Sequence, residues 1–391
     1  MSLTIAVQIV FFASVALAVY VYAGYPLLVY LLSVLRPKTV RKADIEPTVS
    51  IIITAYNEER DIRRKLENTF AIDYPAEKLQ IIVASDCSSD STDAIVAEYA
   101  LRGVKLVRQA HRGGKTAAQN LAVEHASGEI ILFSDATSMY RPNVLRAIVP
   151  NFADEGVGCV AGKLIYVDPA DTTVGSAARS YWGYETLLKE SESAACSLIG
   201  VSGCLYAVRH ADYAPMYPEA CSDFLIATLI YRQGLRTVYE PDAVCTEETN
   251  SRAKKEMRMR VRVISQTFTD LWRNRDMLNP LKSGFYSVEL FSHKVLRYSV
   301  PVFAATAVVS AAILAPGSLF FLVIFAAQSA FLAAALIAWL LELAGVKAGP
   351  LSIPLYFVLT NVASVAGFLQ FLRGERYASW EPIRDSEAAK I

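Results

Sequence analysis

The chain has 391 residues, 53% of them hydrophobic and 19% charged, and its 38 basic and 38 acidic side chains give a formal net charge of zero. It therefore lacks the basic surface that a nucleic-acid partner requires, and any phosphate chemistry must come from local clusters. The six cysteines, Cys87, Cys159, Cys196, Cys204, Cys221 and Cys245, form no CxxC pair, which argues against a zinc site and for reduced, structural thiols.

Residues 1–35, 298–341 and 348–372 contain no Lys, Arg, Asp or Glu, and each stretch can supply one or more spans of about 20 apolar residues. The first is not a signal peptide. Its apolar run continues through Tyr20, Tyr22, Tyr25 and Tyr30 to Leu35 instead of stopping at a short core and a small-residue cleavage site. Arg36, Lys38, Arg41 and Lys42 follow at once, and by the positive-inside rule they place the next domain in the cytoplasm, at the cell (inner) membrane.

The segment 40–282 reads as one cytoplasmic domain. VSIIITA (49–55), LQIIVAS (79–85) and EIILFS (129–134) are runs of the kind that forms strands buried on both faces of a parallel sheet. Between them lie helical patterns at 58–70, after Ser88 up to Gly103, and at 115–125, with a short strand at 104–107. The alternation predicts an α/β, doubly wound, Rossmann-like sheet. Beyond it, 156–167 and 203–208 read as strands around a helix near 174–195. A helix near 223–233 precedes the strand LRTVYE, and 252–275 is basic and helical.

Residues 283–297 mix aromatic, apolar and basic side chains, as an interfacial amphipathic helix does. About three transmembrane helices are expected over 298–372, at 298–314, 319–341 and 351–372, before a polar tail at 373–391. Three spans would leave that tail outside, whereas Arg373, Arg376, Arg384 and Lys390 favour the inside. Either the tail is external or the 298–314 segment, with Pro301 inside it, enters without crossing.

Ligands of such sheets bind at the carboxyl ends of the strands, which points to Tyr56-Asn57-Glu58, Asp86-Cys87-Ser88 and Asp135-Ala136-Thr137. GGKT at 113–116 is not a Walker motif, because Gln109 stands where that motif needs glycine, and no GxGxxG follows a strand. SIIITAYNEE (50–59), IIVASDCSSDSTD (81–93), HRGGKTAAQNLAV (111–123), FSDAT (133–137), CLYAVRH (204–210) and SDF (222–224) together resemble the family 2 glycosyltransferases. The similarity is strongest to the membrane synthases related to cellulose, hyaluronan, chitin and poly-N-acetylglucosamine synthases.

That resemblance implies a GT-A nucleotide-sugar domain with a UDP-sugar donor. It implies nucleotide contacts from Ala55, Tyr56, Glu58, Asp86, Ser88 and Lys115, with Asp86 on the uracil. It puts Asp135 and Thr137 at the DxD metal and diphosphate position, Gly203 beside the acceptor-side strand, and Asp223 at the catalytic base of an inverting transfer. Thr137 replaces the family's second aspartate, so Mg²⁺ or Mn²⁺ would rest on Asp135, water and the diphosphate.

Physical arguments support each role and leave alternatives open. A departing diphosphate concentrates negative charge, so a metal or arginines must stabilise it. Arg258 and Arg262, four apart on one helix face, can grip phosphate oxygens, or can serve a helix that meets lipid headgroups. A single carboxylate, Asp223, suffices as general base, and the same residue is a good helix cap. The lesser alternative for Asp135 is a turn aspartate that closes its strand. Trp182 and Glu185 can line an acceptor path or simply pack.

The expected activity is transfer of one sugar to a lipid-linked or polysaccharide acceptor at the cytoplasmic membrane face. The family's QxxRW is replaced here by RMRVRVISQ, which argues against processive polymerisation. A processive, polymer-secreting synthase and a non-catalytic assembly scaffold are the alternatives. A transporter is disfavoured because the spans hold no ionisable residue.

Overall fold

The computed structural model describes residues 3–167, 173–248, 253–346 and 348–378, without the side chains of 173–182, 248 and 253–256. Strands β1 (Val49–Ala55), β2 (Leu79–Ser85), β3 (Val104–Arg108), β4 (Ile130–Asp135), β5 (Met139–Tyr140), β6 (Val157–Val167), β7 (Leu205–Arg209) and β8 (Arg236–Glu248) form one sheet in the order β3-β2-β1-β4-β7-β6-β8-β5. The β-branched runs explain its centre. Alternate residues of a strand point to opposite faces, so Ile51 and Ile53 enter one core cluster while Ile52 joins Ile82 and Phe133 in the other. Each of these isoleucines is fully buried, worth about 1.5–3 kcal/mol apiece.

The sheet is mixed, not the purely parallel array that alternation suggests. β3, β2, β1 and β4 run parallel, but β7 inserts antiparallel between β4 and β6, and β5 pairs antiparallel with β8. β8 is also far longer than LRTVYE alone. Its register against β6 jumps from Gly162↔Glu240 to Lys163↔Val244, so residues 241–243 bulge over Gly162. A side chain at Gly162 would meet Leu205 and the Ala243 carbonyl, which is why glycine stands there. Past this bulge, β8 runs on to meet β5 beside the ends of the parallel strands.

The helices are α1 (Leu3–Leu35), α2 (Ile62–Phe70), α3 (Thr92–Glu98), α4 (Lys115–Val123), α5 (Val144–Ile148), α6 (Thr173–Ala195), α7 (Ser222–Arg232), α8 (Ala253–Arg273), α9 (Phe285–Gly317), α10 (Leu319–Leu343) and α11 (Ser352–Leu372). By length and composition α1, α9, α10 and the segment ending in α11 could each cross a membrane. α2 starts later than the sequence pattern suggests, because residues 58–61 turn to hydrogen-bond the next strand's loop through Glu58 N to Thr92 Oγ1.

The segments expected as an interfacial helix and a separate first span are continuous in α9, with a wider π-turn at Phe291–Leu296 instead of a break. α1 carries a matching π-turn at Tyr20–Gly24, and the two meet where Tyr20 and Ser292 hydroxyls lie 2.9 Å apart. At the other end, Phe11 packs edge-on against Phe321.

α11 runs against α8. Tyr356 touches Arg260, the glycine at Gly367 lets α11 rest on Ile264, and Phe368 and Phe371 flank Phe268. The last described residues return to the same helix, with Gln266 Nε2 donating to the Tyr377 carbonyl at 2.7 Å.

Candidate active site at the strand ends

β1 and β2 both end in left-handed backbone, at Asn57 (φ 53°) and Cys87 (φ 58°). Such non-glycine residues cost about 1–3 kcal/mol each and persist only where surroundings hold them. Here the two turns lock together. Ser88 Oγ accepts from Asn57 N at 3.1 Å, Asn57 Oδ1 accepts from Ser89 N at 2.7 Å, and Asp86 N donates to the Ala55 carbonyl at 2.9 Å.

Asp86 is 4% exposed. Its Oδ1 accepts from Gln109 Nε2 (2.7 Å), Gly113 N (2.8 Å) and Gly114 N (3.0 Å), so it fixes the glycine loop that leads into α4. Gln109, the residue that spoils a Walker reading, is thus the loop's anchor. Tyr56 lies under the Arg112 guanidinium, 3.8 Å from the ring centre, as a flat wall at the same edge.

Lys115, the first residue of α4, bridges to the next strand end. Its Nζ is 2.5 Å from Asp135 Oδ1 and donates to the Gly203 carbonyl at 3.1 Å. Burial alone would lower the ammonium's affinity for its proton, but Asp135, by charge and hydrogen bond, and then Asp223 hold it above the ordinary lysine value. Gly203 sits between the partners: a β-carbon there would come 3.2 Å from Lys115 Nζ and 3.4 Å from Asp223 Oδ2. Asp223 lies in the first turn of α7, where a carboxylate suits the helix dipole, and Cys221 rather than Asp223 occupies the cap position. The Cys221 thiol reaches Asp223 Oδ1 at 2.9 Å.

Thr137 brings in a residue the sequence reading missed. Its hydroxyl donates to Glu247 Oε1 at 3.1 Å, and burial first, then the neighbouring Asp135, push the Glu247 carboxyl up to about 7. Beneath them Lys65 is fully buried, donating to the Ser138 carbonyl at 2.6 Å and facing the Tyr140 ring, and burial pushes its ammonium down to about 7. Glu247 is invisible in sequence because it is 110 residues from Thr137; only the β8 bulge brings it there.

The remaining candidates divide. Arg262 is brought to the site, where burial lowers its affinity for its proton against Cys221, Asp223 and Asp135, which raise it. Arg258 is exposed on the same helix. Glu185 is buried against Arg297 (2.5 Å) and His293 (3.5 Å) of α9. The Trp182 side chain lies outside the described residues. Asp270, also missed, accepts from Cys221 N at 3.0 Å and from the Tyr217 hydroxyl, tying α8 to the loop that presents Asp223. Among the described residues no three His, Cys, Asp or Glu side chains converge as a metal cage.

A Rossmann-like sheet joined to apolar helices thus carries a lysine, carboxylates and a left-handed turn pair at its strand ends. The fold is that of the mannosyltransferase PcManGT from Pyrobaculum calidifontis, solved in complex with GDP-Man and Mn²⁺, with a TM-score of 0.73, 24% identity, and coverage of 94% of this chain and 100% of that one. Residues 50–209 match Glycosyl transferase family 2, which makes that segment a family 2 glycosyltransferase domain.

Among curated relatives, the N-acetylglucosaminyltransferase of Bradyrhizobium diazoefficiens is 24% identical over 276 residues, 64% of this chain and 55% of its own length. The beta-monoglucosyldiacylglycerol synthase of Trichormus variabilis (strain ATCC 29413 / PCC 7937) is 36% identical over 118 residues, 29% of this chain and 25% of its own. The chain thus spans between a quarter and about half of these relatives.

Proposed function

We propose that the chain catalyses inverting transfer of one sugar from a UDP-sugar to a lipid-linked or glycan acceptor at the cytoplasmic face of the cell membrane, in cell-surface glycan synthesis. The convergence of Lys115, Asp135 and Asp223 around Gly203 carries this reading. Asp223 takes the proton of the acceptor hydroxyl as that oxygen attacks the anomeric carbon, and the bond from that carbon to the diphosphate breaks on the opposite face. Lys115 and Arg262 receive the charge that builds on the departing diphosphate.

Asp86 and the 109–114 loop present a rigid edge for the base, with Ala55, Tyr56, Glu58 and Ser88 forming the floor. A carboxylate at Asp135, with the Thr137 hydroxyl beside it, offers the hard oxygen donors that Mg²⁺ or Mn²⁺ prefers. When bound, such an ion neutralises diphosphate charge. Gln266, near the position of the family's QxxRW, is spent on Glu219 and Tyr377 carbonyls, which supports single additions over polymer growth.

The domain spans 40–282, and α9, α10 and the segment ending in α11 are each long and apolar enough to cross a membrane. Phe357 of α11 touches Tyr22 of α1 and Phe331 at the middle of α10, which supports packing of α11 among the spanning helices. Three C-terminal crossings put the tail on the side opposite the domain.

The deciding experiment is Asp223→Asn in detergent-purified protein, screened with a panel of nucleotide sugars. Transfer should vanish while UDP, measured against GDP by titration, still binds. Near-normal turnover in Asp223→Asn with any active donor overturns the base assignment, and GDP binding in preference to UDP overturns the uridine assignment.

A further inference from the structure

Thr137 leaves the strand end one carboxylate short of a paired acidic site, and β8 brings a carboxylate to that place. The Thr137 hydroxyl donates to Glu247 Oε1 at 3.1 Å, and Glu247 shares the electrostatic field of Asp135 and Lys115. The geometry has a backbone cause. β5 pairs with β8 through Met139↔Thr246 and Tyr140↔Cys245, so Glu247 follows directly after the pairing on β8, opposite the turn that holds Thr137. The bulge at 241–243 sets this register, and Gly162 makes the bulge possible.

We propose that Glu247 is the second acidic residue of the divalent-cation and diphosphate site, standing in for the carboxylate that Thr137 lacks, with the Thr137 hydroxyl orienting it. The inference rests on the nucleotide-sugar reading above. Two carboxylates and a hydroxyl are too few oxygens for a six-coordinate ion, so diphosphate oxygens and water must complete the shell. Cation binding is then tied to nucleotide: Mn²⁺ alone binds weakly, and Mn²⁺ with a nucleoside diphosphate binds well. The pairing also explains how a chain with an apparently degraded acidic motif keeps two carboxylates at this corner.

The test is Mn²⁺ binding to the purified full chain, followed by electron paramagnetic resonance of free Mn²⁺, with UDP or GDP present or absent. In the wild type the diphosphate should strengthen binding. Glu247→Gln should weaken the nucleotide-dependent binding by roughly tenfold or more, with far-UV circular dichroism and gel-filtration elution unchanged. Thr137→Asp in the Glu247→Gln background should recover a substantial part, because it restores a carboxylate at the same corner. Wild-type-like Mn²⁺ affinity in a folded Glu247→Gln protein overturns the proposal while leaving the nucleotide-sugar reading intact, and so does failure of the double variant to recover affinity. A wild type that binds nucleotide but no Mn²⁺ overturns the proposal together with the metal part of that reading.

Discussion

Lys115 Nζ lies 2.5 Å from Asp135 Oδ1 while donating to the Gly203 carbonyl, so one ammonium joins the end of β4 to the loop that faces Asp223. Lys115→Met should weaken nucleoside diphosphate binding roughly tenfold to a hundredfold, the span that follows from about 1.5–3 kcal/mol for a hydrogen bond to a charged group. Calorimetric titration with UDP measures this directly. Unchanged affinity would mean that the lysine only braces Asp135.

Gly203→Ala places a methyl group 3.2 Å from Lys115 Nζ, closer than side chains usually sit, and in ordinary contact with Asp223 Oδ2 at 3.4 Å. The flexible ammonium must give way by tenths of an ångström, next to the proposed base. Turnover should fall roughly tenfold or more, with a thermal midpoint near that of the wild type. A steady-state comparison alongside differential scanning fluorimetry separates the two effects.

Asp270→Ala should both destabilise and slow the enzyme. The substitution leaves the buried Cys221 N–H and the Tyr217 hydroxyl without their acceptor, at about 1–3 kcal/mol for an unsatisfied group. It also frees the loop that sets Asp223. A thermal midpoint and turnover both equal to wild type would remove Asp270 from any positioning role.

Lys65 predicts a pH signature. Its folded-state value of about 7 lies below the ordinary 10.5, so between these limits the unfolded chain binds more protons and stability rises with pH. Below pH 7 both states are protonated and the full cost of the buried charge is present. Lys65→Met should therefore exceed the wild type in thermal midpoint most below pH 7, with the difference shrinking toward pH 10. A pH-independent difference would show that packing, not charge, sets the effect.

Three C-terminal crossings make a claim about sidedness. A periplasmic phosphatase fused after residue 391 should be active in a bacterial host, and a green fluorescent protein fused at the same point should stay dark. The reverse pattern would mean that one of the three helices enters without crossing.

The strands nearest the site were legible because their chemistry is local: VSIIITA must be buried on both faces wherever it goes, and the Asp86 and Asp135 ends follow from strand polarity. Strand direction is not local. Nothing in CLYAVRH says that β7 runs antiparallel between β4 and β6, and LRTVYE gives no sign that β8 continues past a bulge over Gly162 to Glu248. Glu185 was legible only as an acidic residue in an aromatic segment, and its partners Arg297 and His293 lie on a helix whose own sequence gives no hint of the pairing. Asp270 stayed hidden for the same reason as Glu247, since its hydrogen-bond partners Tyr217 and Cys221 lie some fifty residues upstream.

The contact between α8 and α11 has a mechanical meaning. The helix that carries Arg262 has the proposed catalytic site on one side and, at Ile264 and Phe268, an apolar helix of membrane-spanning length on the other. Any shift of α11 is therefore felt at Ile264, two residues from Arg262, through Gly367, where no side chain cushions the approach of the two helices.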